Sequence, residues 1–283
     1  MMPADRRSCC CLHTTDTSSL QAVIFDVDGT LAETEREGHR IAFNKAFAEF
    51  ELNWDWTPEL YGELLSVTGG KERVRLYIET RAPEHLARPD LDLWIARLYK
   101  RKSELYSELV HSGAITLRAG VARLIGELKA AGIRLAIATT TAPSNIHSLI
   151  SANLKKDMLE LFEVIGAGDL LIRKKPAPDV YLWVMQRLGL PPEACLAIED
   201  SSIGLTAARA AGLPTVITVS SYTAGENFNG ALTVLSGLGE TDTPAKVIAG
   251  MPLDGACVDV AQLRAWHRQA LDAAHAPDTA QLA

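Results

Sequence analysis

Short apolar runs that end abruptly in polar residues recur along this chain, and between them apolar positions fall at helical spacing. Residues Ala22 to Phe25 form a continuous apolar run, as in a parallel strand buried on both faces, and the run stops at Asp26-Val27-Asp28-Gly29-Thr30. The same pattern returns at 134–138 before Thr139-Thr140-Thr141, at 162–166, at 195–198 before Glu199-Asp200-Ser201-Ser202, and at 215–219. Helical spacing follows over 119–131 with Gly132 as stop, from Ser144 to about Asn153, over 179–188 with Gly189 as stop, and over 203–211 with Gly212 as stop. Elements in this βα order predict an α/β fold of Rossmann-like type: a parallel sheet with right-handed crossovers, whose strand ends gather along one edge.

From about Glu33 to His111 no strand is evident. Ile41, Phe43, Phe47 and Phe50 mark one helix, 58–65 a second, 72–81 a third, and 90–110 a long fourth carrying Leu91, Ile95, Leu98, Leu105 and Leu109. This predicts a helical domain over 33–112, inserted into a core domain built from 21–32 and 113–283, with 1–20 as a disordered tail. Trp54, Trp56, Trp94 and Tyr61 read as the insert's own core. Near the end of the chain, Val260, Leu263, Trp266 and Leu271 space a terminal helix over 259–271 that packs on the core, with a partner-binding helix as the alternative.

Composition narrows the classes. With 47% hydrophobic and 22% charged residues in 283, the chain is a soluble globular mix able to bury a sizeable core. A formal net charge of -7 argues against a nonspecific nucleic-acid surface or an anionic membrane, while leaving room for a local basic pocket. No apolar run reaches the roughly 18 residues of a membrane span. Cys9-Cys10-Cys11 lack C-x-x-C spacing and form no disulfide framework with Cys195 and Cys257, so a reducing compartment is expected. Residues 1–20 carry no apolar core of signal-peptide length. A cytoplasmic location is expected, or the chloroplast stroma if the source is an alga.

On an extended backbone residues i and i+2 face the same way, so Asp26 and Asp28 project together from the carboxyl end of a strand, where open α/β sheets bind ligands. The competing reading is a turn cap, since Asp and Gly are ordinary turn residues. Lys175 sits in a stretch stiffened by Pro176 and Pro178 ahead of a helix, from which it can reach the sheet edge. Parallel strands would bring Asp26, Asp28, Thr139, Lys175, Glu199 and Asp200 into one crevice. Hard carboxylate oxygens in that number favour Mg²⁺ completed by a substrate phosphate. The chemistry such a site offers is phosphoryl transfer: Asp26 as covalent nucleophile, Asp28 as acid and then base, Lys175 and Thr139 on the phosphoryl oxygens. Within the insert, Thr68-Gly69-Gly70-Lys71-Glu72-Arg73 combines close backbone approach with two cations at a helix start; it reads as an anion site or, equally, as a loop with solvated charges.

Taken in chain order, DVDGT at 26–30, Thr139 after an apolar strand, Lys175 in KKPAPD, and the acidic pair in IEDS at 198–201 resemble the four motifs of the haloacid dehalogenase superfamily. The helical insertion resembles that superfamily's C1 cap, a lid over the substrate. Glu33-Thr34-Glu35 with Gly38-His39-Arg40, then Tyr61-Gly62-Glu63-Leu64-Leu65, then Gly69-Gly70-Lys71-Glu72-Arg73, resemble the CbbY phosphatases. The resemblance implies hydrolysis of xylulose-1,5-bisphosphate to xylulose-5-phosphate, with Mg²⁺ on the Asp26 carboxylate, the Asp28 carbonyl and the Glu199/Asp200 pair. It further implies substrate contacts from Glu35, His39, Tyr61, Gly69, Gly70, Lys71 and Arg73, with Thr139, Thr140 and Lys175 on the core side. A phosphorylated sugar is then the expected partner of a monomeric chain, with no nucleic acid and no membrane. Two other functions share these motifs: a phosphosugar mutase of the β-phosphoglucomutase type, and a catalytically dead sugar-phosphate sensor, against which the intact aspartates speak.

Overall fold

The structure is a computed structural model of the chain, and it describes residues 19–153, 160–168 and 173–275. Five of the expected strands form where the apolar runs predict: β1 (Ala22–Phe25), β2 (Arg134–Ala138), β3 (Phe162–Gly166), β4 (Cys195–Glu199) and β5 (Thr215–Thr218). Two further strands, β6 (Thr233–Leu235) and β7 (Val247–Gly250), extend the sheet to seven in the order β3-β2-β1-β4-β5-β6-β7. All neighbours are parallel except β6 and β7. The first strand in sequence thus lies in the middle, flanked by β2 and β4, with Phe25 level with Ile137 and Ile198. That arrangement makes the end of β1 a topological switch point, where flanking loops part and leave a crevice.

The helical insert between β1 and β2 holds α1 (Arg40–Glu49), α2 (Pro58–Leu64), α3 (Gly70–Arg81) and α4 (Leu91–His111). The remaining helices are α5 (Val121–Ala130), α6 (Pro143–Asn153), α7 (Asp179–Leu188), α8 (Ser202–Ala210) and α9 (Val260–His275). Burial divides the apolar side chains by location. One cluster, with Phe25, Ile137, Ile198 and Val216, covers one face of the sheet, and another, with Ile24, Ala136, Val184 and Ala197, covers the other. The insert has its own cluster around Phe43, Phe47, Trp56, Tyr61, Trp94 and Leu98, as its aromatic pattern predicts. The terminal helix packs inward through Leu263 and Trp266, while Leu20, expected in a disordered tail, is buried in the core. The three adjacent cysteines lie outside the described residues; Cys195 and Cys257 are free thiols.

One departure lies at the entry to the insert. Glu35–His39 forms a π-helical turn directly ahead of α1, with Gly38 and His39 buried. Its residues carry no apolar stripe, so helical periodicity does not announce it; such turns often mark functional positions.

Candidate active site

Asp26 follows the last residue of β1, and its amide donates to the Ile198 carbonyl at 3.0 Å, which fixes it against β4. Its carboxylate Oδ1 accepts from Lys175 Nζ at 2.6 Å. The same ammonium donates to Glu199 Oε1 at 2.5 Å and to the Ala138 carbonyl at 2.9 Å, so Lys175 ties the ends of three neighbouring strands. Glu199 is fully buried; it also accepts from the Tyr181 hydroxyl at 2.7 Å and from the Asp200 amide at 3.1 Å. Burial works against the Lys175 charge, but Asp26 and Glu199 outweigh it and hold the lysine above the usual ammonium range.

Carboxylates outnumber that cation. Single oxygens of Asp26, Glu199 and Asp200 lie within 4.8 Å of one another, all buried. Burial, reinforced by Glu199 and Asp28 and only partly relieved by Lys175, pushes Asp26 up to about 8. Asp200 is driven up by burial and then by Glu199 and Asp26. A cluster that resists ionisation for want of positive charge is what a dication would neutralise, and its hard oxygen donors suit Mg²⁺. The crowding also explains two glycines: a Cβ on Gly29, at φ +84°, would meet Asp200 Oδ2 at 2.1 Å, and one on Gly204 would meet the Glu199 carboxylate at 2.1 Å.

Asp28 is held differently. Its side chain stands outside the acidic group; Thr34 and Thr141 donate their hydroxyls to it, and His39 Nε2 lies 2.9 Å from Oδ1. Burial would raise this carboxyl, but His39 and the hydroxyl donors win and hold it well below the usual carboxylate range. Behind His39, Lys102 Nζ lies 2.7 Å from Nδ1, under the rings of Phe43, Tyr106 and Tyr99. Burial pulls Lys102 down to about 7. His39, expected to touch substrate, thus stands between Asp28 and Lys102, and it lines a small cleft with Asp28, Glu35 and Arg73. The other core hydroxyl, Thr139 Oγ1, accepts from the Thr141 amide at 3.2 Å.

The strand edge and the insert enclose a cavity of about 450 Å³. Asp26, Asp28, Thr139, Thr140, Lys175 and Asp200 line its sheet side, and Glu35, Gly69 and Arg73 line its insert side. Arg73 is 6% exposed, with Nη1 donating to the Tyr61 hydroxyl at 2.6 Å and lying 3.5 Å from Glu35. Its Nε is buried with no hydrogen-bond partner among the described residues. Tyr61 unites two readings: its ring is buried in the insert's core, while its hydroxyl donates to Glu35. Gly69 is favoured by its backbone, at φ +98°, and Gly70 by packing, since a Cβ there would come within 2.2 Å of the Tyr99 ring.

Lys71 corrects the expected pairing with Arg73. It lies 5.7 Å over the Tyr99 ring and lines a separate groove beside Val67 and Arg75. The reason is helical geometry: positions i and i+2 on α3 point to nearly opposite faces, so only one can reach the cavity. A different lysine, Lys174, reaches the glycine loop from the core side and pairs with Glu72 at 2.6 Å. Thr34, Lys102, Thr141, Lys174 and Tyr181 are not among the expected site residues. Thr34, Thr141 and Lys174 lie inside motifs read from the sequence, whereas Lys102 and Tyr181 carry no such signal. Arg118, also unforeseen, donates to the carbonyls of Gly29, Thr218 and Val219, and so anchors the loop behind the two aspartates to the end of β5.

Comparison with known proteins agrees with this geometry. A family model described as haloacid dehalogenase-like hydrolase matches residues 20–212. Protein CbbY of Rhodobacter capsulatus is 54% identical over 212 residues, covering 75% of this chain and 91% of that protein. The plasmid-encoded protein CbbY of Cupriavidus necator is 48% identical over 257 residues, covering 89% and 98%. Among solved structures, a mutant of CbbY from Rhodobacter sphaeroides in complex with xylulose-(1,5)bisphosphate superposes with a TM-score of 0.71 at 44% identity, covering 77% of this chain and 94% of that one. With an intact aspartate pair, lysine and acidic cluster at the switch point of its sheet, the chain belongs to the haloacid dehalogenase-like hydrolases and, among them, to the CbbY-like phosphatases.

Proposed function

We propose that the chain is a Mg²⁺-dependent sugar-bisphosphate phosphatase that converts xylulose-1,5-bisphosphate to xylulose-5-phosphate and phosphate through a phosphorylated Asp26. The observation that carries this reading is a single cavity with cationic side chains on both sides: Lys175 beside Asp26 on the sheet, and Arg73, with its unpartnered Nε, on the insert. A molecule with phosphates at both ends of a five-carbon chain matches that layout. The bisphosphate bound to the Rhodobacter sphaeroides relative supports the same substrate class.

In the reaction an Asp26 carboxylate oxygen attacks the phosphorus, the bond from phosphorus to the sugar oxygen breaks, and Asp28 gives that oxygen a proton. Water then attacks the phosphorus of the phosphoaspartate, its proton passes to Asp28, and phosphate leaves with Asp26 regenerated. The ionised Asp28 held by Thr34, Thr141 and His39 is in the form that accepts a proton from water, and the negative charge of a phosphate beside it raises its pKa toward the acid role. Lys175 holds Asp26 in place and neutralises charge at its side of the cavity. Asp26, Glu199 and Asp200 would hold Mg²⁺, with the Asp28 carbonyl, and the ion when bound supplies charge to screen the phosphoryl oxygens from the attacking carboxylate. The helical insert serves as the lid that closes the cavity against water. Among the described residues no helix is long and apolar enough to cross a membrane.

The test is phosphate release from xylulose-1,5-bisphosphate, ribulose-1,5-bisphosphate, fructose-1,6-bisphosphate and β-glucose-1-phosphate, with and without Mg²⁺, by wild type and Asp26→Asn. Selective, Mg²⁺-dependent release from the first compound, lost in the variant, is the expected result. Isomerised glucose phosphate without phosphate release would establish the mutase reading instead, and release that survives Asp26→Asn would remove the nucleophile.

A further inference from the structure

Tyr222 lies on the loop that follows β5, yet it packs against the hydrophobic cluster of the helical insert, the one residue in that set contributed from beyond the insert. Its ring centroid lies 6.0 Å from that of Tyr61, and a Cβ placed on Gly62 would come within 3.3 Å of two of its ring carbons. The absence of a side chain at Gly62 is therefore what allows α2 to approach the ring so closely. The loop that carries Tyr222 is itself fixed. The Ser220 amide donates to Thr223 Oγ1 at 2.8 Å, the Glu226 amide to the Thr223 carbonyl at 3.0 Å, and the Ser202 amide to Glu226 Oε2 at 2.6 Å.

Two facts give this aromatic residue more than a packing role. It lines the catalytic cavity together with Gly62, Glu35 and Arg73. Its hydroxyl is enclosed but has no hydrogen-bond partner among the described residues. An enclosed hydroxyl left unmatched destabilises the fold, and phenylalanine would fill the same space without that cost. Burial raises its pKa, so the group remains a neutral phenol able to donate. Its neighbour Tyr61, by contrast, has its hydroxyl fully engaged with Glu35 and Arg73.

We propose that Tyr222 is a specificity-determining residue, whose hydroxyl hydrogen-bonds the half of the substrate remote from Asp26 once the insert is closed over it. This rests on the sugar-bisphosphate reading above. The ring packs on the insert's cluster and the hydroxyl reads the ligand, so that one side chain serves both the seat of the lid and recognition. A substrate that ends near Asp26 gains nothing from it.

The test compares xylulose-1,5-bisphosphate with p-nitrophenyl phosphate, which has no second phosphate, in wild type, Tyr222→Phe and Gly62→Ala, with thermal melts to establish folding. One neutral hydrogen bond corresponds to about a tenfold effect at most. Tyr222→Phe should therefore lower the ratio of kcat/KM for the bisphosphate over the nitrophenyl ester by about three- to tenfold, mainly through KM. Gly62→Ala, which pushes the ring aside, should lower the same ratio. A ratio in Tyr222→Phe equal to that of wild type overturns the proposal. A wild type that shows no preference for the bisphosphate overturns the substrate reading, and with it this proposal, before any variant is compared.

Discussion

Lys174 Nζ and Glu72 Oε1 lie 2.6 Å apart, a pair that joins the segment leading into Lys175 to the first turn of α3. Beside it, the Thr68 hydroxyl donates to the Lys175 carbonyl at 2.7 Å, and a Cβ placed on Gly69 would meet the Lys174 ammonium at 2.6 Å. The glycine loop of the insert thereby grips the backbone that carries the buried lysine of the site. Both side chains remain partly exposed, so the pair is screened and worth about 0.2–1 kcal/mol. Lys174→Met or Glu72→Gln should raise KM for the bisphosphate by up to about fivefold at low salt. Kinetics repeated at high ionic strength should show the difference from wild type shrinking; a salt-independent loss would mean that the pair does not hold the lid.

Lys175 is a different kind of ion pair, since both of its carboxylate partners are buried. Removing it leaves Asp26 and Glu199 facing each other without a cation. Lys175→Met should cost about 3–5 kcal/mol of unfolding free energy along with activity. Denaturant titrations with and without Mg²⁺ measure both terms: the ion should recover part of the loss, and a variant as stable as wild type without metal would contradict the role of Lys175 as the cluster's counter-charge.

Lys102 gives stability a pH dependence of definite sign. His39 touches it, and Glu35, Asp28 and Arg73 are the charged groups that act on it. Its folded-state pKa of about 7 lies below the roughly 10.4 of an unfolded lysine. Between those values the unfolded chain binds more protons, so this residue's contribution to stability rises with pH across that window, and below it the cost of burying the charge is fully present. Lys102→Met should accordingly gain most over wild type near neutral pH and least near pH 10, as read from urea unfolding at several pH values. A gain independent of pH would show that the lysine is not buried with its charge.

Thr141 donates to Asp28 and touches none of the acidic cluster. A hydrogen bond to a charged group contributes about 1.5–3 kcal/mol, so Thr141→Val should lower kcat by about tenfold or more with a smaller effect on KM. Steady-state kinetics decide it; an unchanged kcat would mean that the orientation of Asp28 does not depend on this hydroxyl.

The sheet was legible because parallel strands buried on both faces leave uninterrupted apolar runs, and the end of each run marks the site edge. That logic brought Asp26, Thr139, Lys175, Glu199 and Asp200 together from separate segments. It failed where burial leaves no period. Three residues of β6 are too short to show one, and β7 is exposed along its length. The insert was legible as helices but less so as a binding surface. Arg73 and Lys71 differ only in helical phase, and His39 lies within a π turn that shifts the register ahead of α1. Partners such as Lys102 and Tyr222 carry no local mark at all. Their roles come from contacts across more than sixty positions of sequence for Lys102 with His39, and from a fold in which a core loop meets the insert for Tyr222.

The most direct measurement is a hydroxylamine trap during turnover. Hydroxylamine converts an acyl phosphate to a hydroxamate, and peptide mass spectrometry locates the modified carboxyl. With xylulose-1,5-bisphosphate and Mg²⁺ the expected product is a hydroxamate at Asp26 alone, absent when substrate or metal is left out. Continued phosphate release with Asp26 unmodified, or a hydroxamate at another carboxylate, would contradict a phosphatase that works through Asp26.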